Sequence, residues 1–188
     1  MKVTLLFLII IFSTASYAKE IYPFKLGVSF AFENVSIETK ETAETNKATT
    51  SFFSSQIVPS VGFFSFPYLL IGAQYTQSVM GEFSVNGVGL FTRYYFIGGA
   101  TKILKVDENE FKLDPSFSIY AGGAYKNLLI GAGDFDIRFN VFEVSAGMEK
   151  YISKNLYIYA STSLSHLSSS SSRVGLGVGA SFGIGHNY

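Results

Sequence analysis

The stretch Arg173-Val174-Gly175-Leu176-Gly177-Val178-Gly179-Ala180-Ser181-Phe182-Gly183-Ile184 decides the fold. Its period is two. Val174, Leu176, Val178, Ala180, Phe182 and Ile184 share one face of a strand, and Arg173, Gly175, Gly177, Gly179, Ser181 and Gly183 share the other. In a soluble barrel or sandwich the large apolar face packs inward and polar side chains meet water on the other. A row of glycines has poor strand propensity and offers water nothing to solvate. It suits a narrow barrel interior, where bulky residues would collide, with the apolar face turned to lipid. Apolar outside and small or polar inside is the pattern of a transmembrane β-barrel.

The same alternation opens the chain's first strand. Phe24, Leu26, Val28, Phe30 and Phe32 share one face, and Lys25, Gly27, Ser29, Ala31 and Glu33 the other. Working outward from these two segments predicts eight strands, near 23–38, 51–65, 68–80, 83–97, 115–126, 138–151, 155–167 and 173–186. Each exceeds the roughly 9–11 residues of a tilted membrane-spanning strand. An even count lets the sheet close with both chain ends on one side, and closure removes the edges that lipid cannot satisfy. The expectation is an all-β fold, an eight-stranded antiparallel up-and-down transmembrane β-barrel. Eight strands leave a lumen filled by side chains.

Connections at 39–50, 81–82, 126–137 and 167–172 are expected on the external side, and tight turns at 65–67 and 153–155 on the other. Residues 98–114 form a long charged connection on the short-turn side. It reads either as an extended hairpin below the membrane or as a miscounted strand. Two aromatic girdles are expected. Tyr68, Tyr94, Phe96, Phe117, Phe182 and Tyr188 fall toward one rim, and Phe32, Phe53, Tyr75, Tyr125 and Phe142 toward the other.

The composition agrees. Of 188 residues, 15% are charged and 16% aromatic, and there is no Cys. An average soluble domain carries about 25% charge, and disordered segments are poor in aromatics. Fourteen basic residues balance fourteen acidic ones, which speaks against a nucleic-acid partner. Two His and no Cys predict no metal site, and Asp134 with Asp136 lacks the ligand count for calcium. Gly175-Leu176-Gly177-Val178-Gly179 alternates within a strand and opens no helix, so it is no dinucleotide fingerprint, and no cofactor is expected. Lys2, the apolar run Val3–Phe12 and the small residues Ser16 and Ala18 predict a signal peptide over 1–18. The barrel domain is then 19–188, exported to the envelope of a Gram-negative bacterium.

Three motifs extend this reading. Arg93-Tyr94-Tyr95-Phe96 ends a strand, and Ser118-Ile119-Tyr120-Ala121-Gly122-Gly123-Ala124-Tyr125 begins the next. Gly147-Met148-Glu149-Lys150-Tyr151 precedes Asn155-Leu156 in a late hairpin. With these the chain resembles the OmpA/OmpX-type small outer-membrane barrels over essentially its whole mature length. The resemblance implies contact with outer-membrane lipid and lipopolysaccharide. It also implies recognition by the barrel assembly machinery through the last strand, Phe182-Gly183-Ile184-Gly185-His186-Asn187-Tyr188, with its terminal aromatic. Family functions vary widely, so the fold does not name one.

By parity Lys25, Glu33, Arg93, Glu143 and Glu149 face the lumen, where an unpaired charge is costly. They are expected to form an interior charge network; an ion or proton path is the alternative. Lys150 faces outward at a strand end, where it can snorkel. His166 and Ser168 share a face, as a base and nucleophile could. The pair is similar to the His-x-Ser of the lipid A 3-O-deacylase barrels, in which reading Ser168 attacks an acyl ester and His166 takes its proton. No Asp or Glu follows His166 to orient it, and Ser169 stands where that family has Asn. The sequence therefore reads as a non-enzymatic outer-membrane barrel with a structural or surface-interaction role. A deacylase-like enzyme, a narrow channel or a soluble lipid carrier is the alternative.

Overall fold

The computed structural model describes residues 24–39, 48–66, 68–80, 83–98, 104–106, 109–111, 117–132, 135–153, 155–169 and 173–188. The expected signal peptide, Asp134 and most of the connecting residues lie outside these. Ten strands are present: β1 (Phe24–Thr39), β2 (Ala48–Phe66), β3 (Leu69–Met80), β4 (Phe83–Ile97), β5 (Leu104–Val106), β6 (Asn109–Phe111), β7 (Phe117–Ala132), β8 (Phe135–Tyr151), β9 (Leu156–Ser169) and β10 (Arg173–Asn187). Eight close into an antiparallel barrel in the order β1-β2-β3-β4-β7-β8-β9-β10, and β10 pairs back onto β1. The pair β5–β6 forms a separate two-stranded hairpin inside the 98–114 connection. The connection thus contains a hairpin of its own, and no barrel strand was miscounted. Gly98, at φ +82°, turns the chain out of β4 toward that hairpin.

Following paired residues once round the barrel gives Phe24, Phe63, Ile71, Thr92, Gly123, Val144, Leu164, Val178 and then Asn34. The path returns to β1 ten residues beyond its start. This stagger is what tilts the strands of a closed barrel, typically by about 35–45°. The rim where β1 begins and β10 ends is here termed the terminal rim, and the opposite one the far rim.

Three loop expectations need correction. Residues 126–137 are mostly strand: Lys126 pairs with Val141, and the ladder continues to Ala132 opposite Phe135. Gly131, Gly133 and Asp136 were read as turn signals, but the alternation runs on through Leu128 and Ile130 and outweighs them. At 167–172, β9 continues to Ser169 because Leu167 is buried. At 39–50, β1 reaches Thr39 and β2 starts at Ala48, with Ser36 and Ser51 hydrogen-bonded at 2.8 Å.

The sidedness changes along each strand. In β1 the outward side chains run from Phe24 to Phe32, nine residues of apolar belt, and then become Asn34, Ser36 and Glu38. The inward ones run Lys25, Gly27, Ser29, Ala31 and Glu33, and then become Val35 and Ile37. In β8 the outward Lys150, Met148, Ala146, Val144 and Phe142 give way to Asn140 and Arg138. The inward Glu149, Gly147, Ser145 and Glu143 give way to Val141, Phe139 and Ile137. Along the belt the outside is lipid; beyond it the outside is water, so hydrophobic burial turns inward. Val174 and Leu176 of β10 depart from this and stay exposed and outward. The far end thus carries its own apolar core of Val35, Val85, Leu128, Phe139, Val141 and Leu167.

All eleven expected girdle aromatics are exposed on the outer face. Tyr68, Tyr94 and Phe96 cluster near the terminal rim with successive ring centroids 5.3 Å apart. Phe182 is not at a rim. It packs on Phe30 at 5.8 Å and on Phe32 at 6.0 Å, within the belt, because the stagger shifts neighbouring strands in height.

The glycine-rich inner face has a specific cause. A Cβ on Gly147 would fall 2.6 Å from the Tyr120 ring, one on Gly183 2.6 Å from the Tyr159 ring, and one on Gly72 2.5 Å from the Phe91 ring. Each of these three rings lies across a glycine of an adjacent strand, the cover given to glycines in barrels. Gly147→Ala, where the Tyr120 ring is the nearest obstacle, is expected to destabilise the barrel by about 1–3 kcal/mol through overpacking. Gly27→Ala, whose nearest neighbour is the movable Ser60 hydroxyl at 3.2 Å, should cost less than about 1 kcal/mol. Urea unfolding of vesicle-inserted protein, followed by heat-dependent gel migration, compares the two. Equal costs would refute the ring-on-glycine account.

Candidate functional site

The lumen is layered. Nearest the terminal rim, Glu149 is 0% exposed and at the centre of a charge cluster. Lys25 donates to its Oε2 and Tyr95 Oη donates to Oε1 at 2.8 Å. Arg93 Nη1 lies 3.5 Å from Oε1. Lys25 Nζ also donates to Tyr95 Oη at 3.1 Å. Aromatic faces complete the cage. Lys25 Nζ stands 4.2 Å from the Tyr157 ring, and the Arg93 guanidinium 4.7 Å from the Tyr120 ring and 5.1 Å from the Phe91 ring. Ring faces stabilise cations that have lost water. Phe64, Leu70, Phe91, Tyr95 and Tyr120 fill the remaining space.

Above this lies a polar cavity of about 60 Å³, room for a few water molecules. Glu33, Gln56, Lys126, Glu143 and a group of serines line it. Lys126 pairs with Glu143. Glu33 accepts from Gln56 Nε2 at 3.2 Å and from the Ser165 hydroxyl. The apolar core of the far end forms the third layer.

All five parity-assigned charges point into the lumen, but in two groups. Lys25, Arg93 and Glu149 form one, and Glu33 and Glu143 belong to the other. Lys126 completes the second group and was missed. It sat at the predicted end of a strand, and its inward parity becomes visible only when β7 is extended. The inward Tyr95, Tyr120, Tyr157 and Tyr159 were also missed. The glycines under Tyr120, Tyr157 and Tyr159, and the pairing of Tyr95 with Tyr120, are set by register, which alternation alone does not reveal.

No protein-family model matches the sequence, and no curated protein matches it. Solved structures do. Neisserial surface protein A is 12% identical and superimposes with a TM-score of 0.61, over 88% of this chain and 97% of that one. The N-terminal barrel domain of Pseudomonas aeruginosa OprF is 16% identical, with a TM-score of 0.42 over 82% and 96%. Ail, the attachment invasion locus protein of Yersinia pestis, is 8% identical, with a TM-score of 0.46 over 88% and 99%. The first overlaps well enough to establish architecture. The chain has the fold of a small outer-membrane β-barrel.

On this outer-membrane barrel fold, His166 and Ser168 sit on the outer face of β9, just beyond the belt. His166 lies between Phe142 and Leu176 in the ladders. The Ser168 hydroxyl donates to the Asn140 carbonyl at 3.4 Å. Among the described residues no hydrogen bond joins His166 to Ser168, and no group of three or more His, Asp or Glu gathers as a metal site. Ser168 lies within β9, where the sequence reading had put it in a flexible loop. Lys150 is outward and exposed, as its parity required. The His186 ring packs at a tilt against Tyr188, centroids 4.5 Å apart, at the end of the last strand.

Proposed function

We propose that this protein resides in the bacterial outer membrane, exported by its N-terminal signal segment, with β1 beginning and β10 ending on the periplasmic side. Its lumen is plugged, it performs no catalysis, and its role is structural or one of surface interaction through the far rim. The observation that carries this reading is the filled interior: among the described residues a charged aromatic layer and an apolar layer enclose a cavity of about 60 Å³ between them. Such a space admits a few waters and no metabolite. Outer-membrane lipid and lipopolysaccharide are its surroundings, and the assembly machinery engages β10.

Reconstitution in a planar bilayer tests the plug. The folded protein is expected to give no discrete conductance steps in molar salt. Reproducible steps from protein shown to be folded by heat-dependent gel migration would replace the plug with a narrow channel.

A further inference from the structure

Beyond the belt the barrel wall has an open edge. β2 pairs with β1 as far as Ala48, opposite Thr39. Its ladder to β3 stops at Gln56, opposite Ser78, because β3 gives way to β4 soon after, with Met80 opposite Phe83. Among the described residues, Ala48 to Ser55 therefore have a strand on one side only. Eight strand residues span about 27 Å. Phe53, Ser51 and Thr49 stand opposite Asn34, Ser36 and Glu38, the outward polar residues of β1. This edge thus lies in water, and lipid does not cover it.

Pro59 reveals which backbone groups face the open side. It has no N–H. The ladder to β3 lapses at Val58 and Pro59, between the pairs Ile57–Gln77 and Ser60–Gln74, whereas the ladder to β1 runs through both. The absent donor is therefore one that would point at β3. Backbone direction alternates along an antiparallel strand. Thr49, Ser51 and Phe53 accordingly aim N–H and C=O away from β1, where no ladder pair takes them up. An open edge is a template for another strand, and native sheets commonly guard one with charge or proline. Ala48 to Ser55 reads Ala-Thr-Thr-Ser-Phe-Phe-Ser-Ser, with neither. Phe53 is 64% exposed on the outer face and offers an apolar contact to the residue opposite it. A second copy in the same membrane is a poor occupant. A two-fold axis along the membrane normal presents the two β2 edges in parallel, whereas a self-complementary edge pair is antiparallel.

We infer that the edge from Ala48 to Ser55 binds an extended, uncharged, β-branched segment of another polypeptide by strand addition, with an apolar residue beside Phe53. The inference rests on the proposed surface role of the far rim. The test uses the full barrel folded in detergent micelles and a fluorescent peptide of alternating threonine and valine, with a lysine at each end. A fully N-methylated copy keeps the side chains and loses the donors. Fluorescence anisotropy is expected to show binding of the first peptide and none of the second. Ser51→Pro and Thr49→Pro each delete a donor on the open side and should weaken binding about tenfold. Asn140→Ala, on β8 where both neighbours are paired, should leave it unchanged. Equal binding of both peptides, binding indifferent to both prolines, or no binding by folded protein would overturn the inference. A dimer in micelles that Ser51→Pro disperses, without peptide binding, would overturn it in favour of a second copy. Heat-dependent gel migration reads the folding of each variant. The surface role is tested apart. Thr49→Cys, in a chain that has no cysteine of its own, should react with a membrane-impermeant maleimide on intact cells. Absence of that labelling breaks the surface reading, whereas labelling without peptide binding breaks only the strand-addition site.

Discussion

Glu149→Leu is expected to cost about 3–5 kcal/mol, the penalty for removing one partner from a buried charge group. Glu149 accepts from Lys25, Tyr95 and Arg93 and is wholly out of solvent. Without its carboxylate, two cations remain in the same layer with only aromatic faces to hold them. Glu149→Gln keeps a hydrogen-bond acceptor for Tyr95 but not the charge, so it should fall between the two. The informative variant is the pair Glu149→Leu with Lys25→Met. That pair removes opposite charges together and fills the space with apolar volume. Replacing a buried pair in this way is often neutral. Arg93 would remain, resting on Tyr120, Phe91 and Tyr159. Part of the loss should therefore return, leaving the double variant about 1–3 kcal/mol more stable than Glu149→Leu alone. Urea unfolding in vesicles measures all three. A single variant within about 1 kcal/mol of the unmodified protein would mean Glu149 is not what neutralises Lys25.

What the sequence disclosed follows from what alternation can carry. Period two identified eight strands and the inward parity of Lys25, Glu33, Arg93, Glu143 and Glu149, because each is a property of one strand. Which charges meet is a property of register. Lys25 and Glu149 are 124 residues apart and come together only when β1 closes onto β10. The tyrosines over Gly147 and Gly183 were hidden for the same reason. Phe182 was misplaced because height on the barrel depends on a ten-residue stagger that no single strand contains. Glycines and aspartates near 131–136 misled for a different reason. They are turn residues by propensity, but Leu128 and Ile130 opposite Phe139 and Ile137 hold the hairpin arms together beyond the membrane. The inversion in β1, from Glu33 to Val35, stood in the sequence and is legible there once the membrane edge is sought.

That inversion yields the second large effect. Val28 and Ser36 project from the same face of β1, eight residues apart. Val28 lies at the middle of the belt from Phe24 to Phe32, and Ser36 lies beyond it. Val28→Arg should cost about 2–4 kcal/mol in vesicles, as a charge at the midplane of the lipid does, and Ser36→Arg about 0–1. In a soluble barrel the two would behave alike, since Val28 is already 41% exposed and an exposed arginine is innocuous in water. The inner face should respond in the opposite sense. Val35→Ser, at 3% exposure within the far-end core, removes apolar contacts with no polar partner supplied. Ser29→Ala, on the same inner face but beside the belt, loses only a long bond to the Val58 carbonyl at 3.5 Å. Urea midpoints of the four variants therefore locate the membrane edge on β1 independently of any image of the bilayer. If Val28→Arg and Ser36→Arg shift the midpoint equally, the outward apolar face does not meet lipid, and the soluble-carrier reading gains at the expense of the membrane one.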